Sequence, residues 1–194
     1  MSIAKTFTQL GVISVGLAVA GCASTQSASL RKMTAADREH AARTGQDSTG
    51  ATRAEHLAAA QDLRETEQFA CAGVPETDRD QGPFAQRGRI ASVEVVRDRV
   101  FPKAPAQPFG IVVYIRATPG LTEQRLGRVI QCHVAHHAVV GASAVEETSP
   151  LLVDKSQIYV SSTVAGFRVS ITSSDIDVAR RVVRKGQALI GNAS

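Results

Sequence analysis

The sequence has few aromatic residues and no tryptophan. Aromatic side chains make up 4% of its 194 residues, namely six Phe and two Tyr. Phe7 lies near the amino terminus, and the other aromatic residues fall between Phe69 and Phe167. Surfaces that bind single-stranded nucleic acid or carbohydrate use aromatic side chains as stacking platforms, so this composition argues against both functions. It also predicts that the folded part of the chain begins late.

The sequence also lacks the short motifs of common catalytic and cofactor sites. It contains no Gly-x-Ser-x-Gly nucleophile turn, no phosphate-binding glycine loop and no Cys-x-x-Cys-His haem attachment site. The His-Glu-x-x-His motif of zinc proteases is absent as well. We therefore expect a non-enzymatic protein. A hydrolase of cell-wall or lipid substrates is an alternative that no motif supports.

The apolar run near the amino terminus is too short to cross a bilayer. It covers 11 residues, 10–20, with Lys5 before it, whereas a membrane-spanning helix needs about 20. A short apolar run behind a positive charge is typical of a signal peptide.

The run ends in the tetrapeptide V-A-G-C, whose last residue is Cys22, and this tetrapeptide resembles a bacterial lipobox. The resemblance implies that residues 1–21 are a lipoprotein signal peptide. It further implies that Cys22 carries diacylglycerol and a further acyl chain such as palmitate, which anchor the protein in a membrane facing the periplasm. Position 23 is Ala rather than the Asp that retains lipoproteins in the inner membrane, which favours the outer membrane. A secretory signal cleaved after Ala20 is the alternative.

The segment that follows is predicted to be a tether. Residues 22–51 are rich in Ser, Thr, Ala, Gly and Gln and contain no aromatic residue, so they bury too little apolar surface to offset the entropy of ordering. A short helix over residues 35–43 behind Thr34 is an alternative, limited by Gly45 and Gly50.

From residue 52 onward, the pattern predicts folded structure. An N-terminal helix within residues 52–73 begins at a capping box of Thr52 and Glu55 and ends before Pro75. An α+β domain, 74–194, follows, with helices over Glu123–Val140 and from Ser174 to Gly191. Its strands are predicted over residues 90–96, 109–117, 157–163 and 167–172.

These elements predict a small ββαββα sandwich preceded by one helix and the flexible tether. The β-α-β unit should be right-handed and split by the fourth strand, which gives the sheet order first, second, fourth, third. This arrangement resembles a circularly permuted ferredoxin-like fold.

The cysteine count predicts one disulfide. If Cys22 is lipidated, Cys71 and Cys132 remain, in a compartment that is oxidising. A bond between them would close a loop of about 60 residues and stabilise the fold by roughly 4 kcal/mol in the chain-entropy description.

A rival interpretation of Cys132 is metal or haem binding. Residues 132–137 read CHVAHH and hold three of the five histidines. On a helix, His133 and His137 share one face, as do Cys132 and His136, and such pairs can chelate Zn or Cu. Further ligands could come from acidic residues elsewhere, namely Glu76, Asp78, Asp80, Glu146 and Glu147.

A helical wheel favours a simpler role for these histidines. His133 lies within the apolar arc of the helix, which predicts a buried, neutral and hydrogen-bonded side chain. His136 lies nearer the edge of the arc, where we expect solvent. We therefore expect no cofactor, with a metal ion as the alternative.

Basic residues cluster on the last helix, and these are Arg180, Arg181, Arg184 and Lys185. Near a helix carboxyl terminus, they complement the helix dipole. The alternative is contact with anionic lipid headgroups or lipopolysaccharide, with an envelope protein as a further partner. Nucleic acid is not an expected partner for an exported protein.

Three further segments are similar to a pattern found in uncharacterised proteobacterial lipoproteins. They are C-A-G-V-P from Cys71, P-F from Pro83 and C-H-V-A from Cys132. The resemblance covers residues 55–190 and implies no known activity. Such proteins also carry a cysteine before a Pro-Leu pair, where this chain has Ser149. If that cysteine belongs to the family's disulfide or metal site, this chain lacks it.

Overall fold

The computed structural model describes residues 33–46, 50–98, 105–141 and 148–191. The lipobox with Cys22, and the candidate ligands Glu146 and Glu147, lie outside these residues. The described part contains five helices and one four-stranded sheet. In chain order the elements are α1 (Ala35–Thr44), α2 (Arg53–Ala70), α3 (Glu76–Gln81), β1 (Ile90–Asp98), β2 (Gln107–Arg116), α4 (Glu123–Val140), β3 (Gln157–Thr163), β4 (Gly166–Thr172) and α5 (Ile176–Gln187).

The sheet is antiparallel throughout, and its order is β1-β2-β4-β3, as the sequence predicts. Because β2 and β3 both run antiparallel to β4, they run parallel to each other on either side of it. Val113 lies opposite Val93 on one side and Val169 on the other, and Val169 in turn lies opposite Val160. Side chains alternate between faces along a strand, so this row directs valines to one face of the sheet.

The core lies between that face and the two helices α4 and α5. Apolar side chains from the sheet and from both helices form one buried cluster, whose principal members are Ile111, Val113, Ile115, Leu126, Ile130, Phe167, Val169, Ile171, Val178 and Val182. Helix α5 comes so close to β2 that a Cβ atom on Gly186 would overlap the side chain of Ile111. The absence of a side chain at Gly186 is therefore what permits this approach.

The ladder between β2 and β4 has a glycine at each end. Gly110 pairs with Thr172, and Gly166 pairs with Arg116. Their φ angles are 154° and 146°, and a Cβ atom at either position would overlap a carbonyl oxygen of the facing strand. Both positions therefore exclude every other amino acid as long as the strands keep this separation.

A layer of two helices covers the side of α4 away from the core. The amide of Glu55 donates to the hydroxyl of Thr52, which confirms the predicted capping box of α2. At the far end of this layer, Ala35 of α1, Ala60 of α2 and Val139 of α4 meet in a small buried cluster. Small side chains allow three helices to approach closely at that point.

Helix α1 occupies part of the segment predicted to be a tether. That interpretation is wrong for Ala35–Thr44, and the alternative of a short helix behind Thr34 is confirmed. A capping box of Thr34 and Asp37 starts this helix, in which Ala41 and Ala42 are buried. Arg64 of α2 also pairs with Glu39 at 2.7 Å. A ten-residue helix is marginal by itself, so its contacts with α2 supply the stabilisation that composition does not reveal.

The last helix begins at Ile176 rather than Ser174, two residues later than predicted, and it ends sooner. Asp175, not Ser174, caps it, because its carboxylate accepts hydrogen bonds from the backbone amides of Asp177 at 3.0 Å and Val178 at 3.2 Å. The helix ends at Gln187, and Gly191 lies in the turn that follows. The hydrogen bonds from Val178 and Asp177 lower the pKa of the Asp175 carboxyl.

In the described ranges, we find no helix whose length and apolar content would allow it to cross a membrane.

Candidate functional site

Cys71 and Cys132 form a disulfide, which confirms that prediction. Cys71 caps the end of α2, Cys132 lies within α4, and their Cα atoms are 4.5 Å apart. Both are buried, in a small apolar cluster with Val74 and Val129. The bond thus fastens the outer helical layer to the helix that covers the sheet.

The disulfide changes what the histidine-rich segment can offer a metal ion. A thiolate is the form of cysteine that binds metals, and the sulfur of Cys132 is instead bonded to Cys71. While the disulfide is intact, the candidate ligands that remain on α4 are His133, His136 and His137. We call these three residues the histidine cluster.

His133 is buried and hydrogen-bonded, as the helical wheel predicts. Its Nδ1 lies 3.0 Å from the carbonyl oxygen of Arg79, and since a carbonyl only accepts, Nδ1 is the donor. The ring rests against Gly82, where an added Cβ atom would come within 2.6 Å of the imidazole. His133 therefore holds α3 and the residue after it against α4.

His136 is not simply solvated, contrary to expectation. Its Nδ1 lies 2.6 Å from Oε1 of Glu67 on α2, and its Nε2 lies 3.3 Å from Oδ1 of Asp80 on α3. Both ring nitrogens can donate to carboxylates only when the imidazole is protonated. Three helices meet at this side chain, and Asp80 is one of the acidic residues considered above as a ligand.

Sequence reasoning missed Glu67, although a signal was present. Glu67 interrupts the apolar stripe of α2, and a carboxylate on the inner face of a helix calls for a partner. Its partner, His136, lies 69 residues away along the chain.

His137 completes the cluster. Its Nδ1 donates to the carbonyl oxygen of Gly141 at 2.9 Å, at the end of α4. The ring centres of His133 and His137 are 4.4 Å apart, and those of His136 and His137 are 5.5 Å apart. The rings are thus neighbours, but each Nδ1 serves a different protein partner.

The other candidate ligands do not complete a site. Asp78 lies 3.9 Å from the guanidinium of Arg125, and Glu76 lies exposed in the first turn of α3. Within the ranges that the structure describes, no group of three or more His, Cys, Asp or Glu side chains is arranged to hold a metal ion.

The basic residues of α5 lie on its outer surface. Arg181 and Arg184 are exposed, and Arg180 lies 3.5 Å from Asp177. At the end of this helix, Arg87 donates to the carbonyl oxygen of Ala188 at 2.9 Å. Cations at this terminus complement the helix dipole.

A groove lies between strand β3 and helix α4, and the sequence analysis did not predict it. It has a volume of about 780 Å³, and we call it the β3 groove. Phe69 at the end of α2 is 88% exposed beside it, and Tyr159 of β3 is 68% exposed. Small residues form its floor on α4, and these include Gly127, Ala135 and Ala138. A row of small residues on one helix face was the only sign in the sequence.

No protein-family model, no curated protein and no solved structure matches this chain.

Proposed function

We propose that this protein is a membrane-anchored periplasmic lipoprotein whose folded domain has a non-enzymatic binding or structural role in the cell envelope. The observation that supports this proposal best is the buried Cys71–Cys132 disulfide. Persistent disulfides belong to oxidising compartments outside the cytoplasm. With these two cysteines bonded to each other, Cys22 is the remaining cysteine of the sequence, and it stands at the lipidated position of the V-A-G-C motif.

The anchor would hold the domain close to the membrane. Each buried CH₂ of an acyl chain contributes about 0.8 kcal/mol, so two or three chains give durable attachment. The chain from Cys22 to the start of α1 at Ala35 can extend over at most about 45 Å. The Ala at position 23 favours the outer membrane.

The partner that the surface charge favours is an anionic lipid headgroup. Arg181 and Arg184 lie exposed on α5, and basic residues near a membrane surface contribute about 1 kcal/mol each in attraction to anionic lipid. An envelope protein with an acidic surface is the alternative partner.

The topology proposed for the domain is that of a circularly permuted ferredoxin-like sandwich. The order β1-β2-β4-β3 supports it, as does the position of β4 between β2 and β3, which α4 connects along the chain.

The test of the anchor is the full-length precursor with Cys22→Ala, expressed in a bacterium fed labelled palmitate. We expect the wild type to be labelled and to sediment with membranes. We expect the variant to be unlabelled and released by cell lysis. The matched control is the Cys71→Ala/Cys132→Ala double variant, which keeps Cys22 and should still be labelled. A Cys22→Ala protein that stays in the membrane fraction until detergent is added would contradict the proposal.

A second candidate function is metal or haem binding by the histidine cluster. The 4.4 Å separation of the His133 and His137 rings favours it, although Cys132 can join the ligand set only after reduction of the disulfide. We expect elemental analysis of oxidised protein loaded with Zn or Cu to separate the two functions. Stoichiometric metal that is lost in His137→Ala would support this candidate, and its absence would end it.

A further inference from the structure

The two edges of the sheet differ in how well they are protected. Edge strand β1 has register irregularities at two places, between Ile90 and Ser92 and between Val96 and Arg97, and it ends in the charged pair Arg97 and Asp98. Bulges and charges are the usual means by which proteins prevent an edge strand from pairing with another chain.

Edge strand β3 has neither protection. Its pairing with β4 is regular from Gln157 to Thr163, and its sequence QIYVSST contains no charged residue. On its outer side, no strand pairs with it within the described ranges. This edge is therefore suited to accept a further strand.

A side chain of α4 closes one end of the outer side of β3. The backbone amide of Ser162 donates to Oε2 of Glu123 at 2.8 Å, and the Ser162 hydroxyl donates to the same oxygen. Since the backbone groups of an antiparallel strand alternate in direction, Ile158 and Val160 direct theirs to the same outer side as Ser162. The stretch open for pairing is thus centred on Tyr159.

Apolar surface surrounds this stretch. The β3 groove runs beside it, with Phe69 on its rim and Ala135 and Ala138 on its floor. The exposed ring of Tyr159 lies on the opposite face of the strand from Ile158 and Val160, which pack against the core. Apolar surface therefore flanks the unpaired strand on both faces. That combination is the usual setting for strand addition.

We propose that the occupant of this edge is the β3 strand of a second copy of the chain. In a two-fold interface each residue near the axis meets its own counterpart, so a charged strand would repel itself, whereas β3 is neutral. The charged residues that line the groove, Glu123 and Arg128, are of opposite sign. The groove therefore carries no net charge that would favour a charged partner of another kind.

The alternation of backbone groups fixes the register. Ile158 pairs with Val160 of the second copy through backbone hydrogen bonds, and the two Tyr159 residues face each other across the axis as a non-hydrogen-bonded pair. The two sheets join into one of eight strands.

The area of this contact makes the dimer weak. With Tyr159 on the axis, the five residues 157–161 of each strand overlap over about 17 Å, and a strip about 20 Å wide along them buries about 700 Å² over both copies, below the 1,200 to 2,000 Å² of stable interfaces. We therefore expect dimerisation only at high micromolar concentration in solution.

Disulfide trapping tests the register in a full chain that carries Cys22→Ala. This change removes the free thiol and any acyl chain that would itself bring two copies together, so the outcome does not depend on the proposed lipid anchor. We expect Tyr159→Cys to form a covalent dimer under mild oxidation, because non-hydrogen-bonded pairs have Cα atoms about 4.5 Å apart, within disulfide range. Ser161→Cys, on the same strand and face, is the matched control and should remain monomeric because its counterpart lies about 13 Å away.

Sedimentation of the same chain tests the dimer itself. Tyr159→Asp places two like charges across the axis and should weaken dimerisation at least tenfold, while the circular dichroism spectrum stays unchanged. A chain that is monomeric at millimolar concentration overturns the proposal, as does equal trapping of both cysteine variants. A dimer that tolerates Tyr159→Asp, or a monomer that instead binds an unrelated extended peptide at β3, also overturns it.

Discussion

Helices α4 and α5 cover the same face of the sheet but are fastened to the rest of the molecule in different ways. Helix α5 contacts the sheet through apolar packing, with Val178 and Val182 buried and Gly186 against Ile111. Helix α4 shares that core and also carries specific bonds on its other side. These are the disulfide and the hydrogen bonds of the histidine cluster.

The difference shows two ways of stabilising a helix on a sheet. The stability of α5 depends on shape at one close contact, where a single methyl group matters. The stability of α4 is divided among a covalent bond and several polar contacts to the outer layer of helices, so each can be removed separately. Four predictions test this contrast, in order of decreasing effect.

The largest effect should come from removal of the disulfide. Because it joins residues 61 positions apart, the Cys71→Ala/Cys132→Ala variant should lose about 4 kcal/mol of unfolding free energy, measured by urea denaturation. Cys22→Ala is the control and should unfold like the wild type. A loss below about 1 kcal/mol would mean that α4 is held mainly by its polar and apolar contacts.

The second effect concerns the close contact of α5. Gly186→Ala places a methyl group against Ile111 and should cost about 1 to 3 kcal/mol through overpacking. Ile111→Val removes the methyl group that it would strike. The double variant should therefore be less destabilised than the sum of the two single changes. Strict additivity in denaturation measurements would show that α5 does not depend on this contact.

The third effect concerns the bridge made by His136. Glu67→Gln keeps a hydrogen-bond acceptor but removes the charge next to the imidazole, and should cost about 1 kcal/mol. Glu65→Gln, two residues earlier and on an exposed face of α2, is the matched control and should have no measurable effect. Equal denaturation midpoints for the two variants would show that the bridge does not stabilise α4.

The smallest effect should come from the cap of α5, and it should depend on pH. The pKa of Asp175 is lowered in the folded protein by hydrogen bonds from Val178 and Asp177, so its carboxylate stabilises the fold above the pKa of the unfolded chain. That contribution is lost as the pH falls through the lower, folded pKa. Asp175→Ala should therefore lower the thermal midpoint more at pH 7 than at pH 2. Asp175→Asn keeps a capping acceptor, so it should retain most of the midpoint at pH 7. A deficit for Asp175→Ala that is equal at both pH values would contradict this role.

Much of the framework could be predicted because it depends on local signals. Helix α4 matches its predicted bounds Glu123–Val140, and Thr122 caps it by accepting from the amide of Arg125. The strand order and the disulfide followed from chain connectivity and from the number of cysteines. Each of these features is encoded by residues close together in the sequence or by a simple count.

The parts that sequence reasoning missed depend on contacts between distant residues. The tether prediction is wrong for α1 because Ala41 and Ala42 are buried where the helix meets α2, although Thr34 had indicated a short helix as the alternative. His136 contacts Glu67 only in the folded protein, where the end of α2 that carries the disulfide packs against α4. The β3 groove forms where the last turn of α2, which carries Phe69, lies beside an edge strand.

The two glycines of the β2–β4 ladder should be conserved in evolution. Surface residues and even core side chains can be replaced during evolution when a second substitution compensates. At Gly110 and Gly166 a Cβ atom would strike the backbone of the facing strand, so no substitution elsewhere makes room for it while the ladder persists. Any protein that has inherited this sheet should therefore keep both glycines, together with the cysteine pair where its compartment is oxidising. Those four positions should identify distant homologues of this chain.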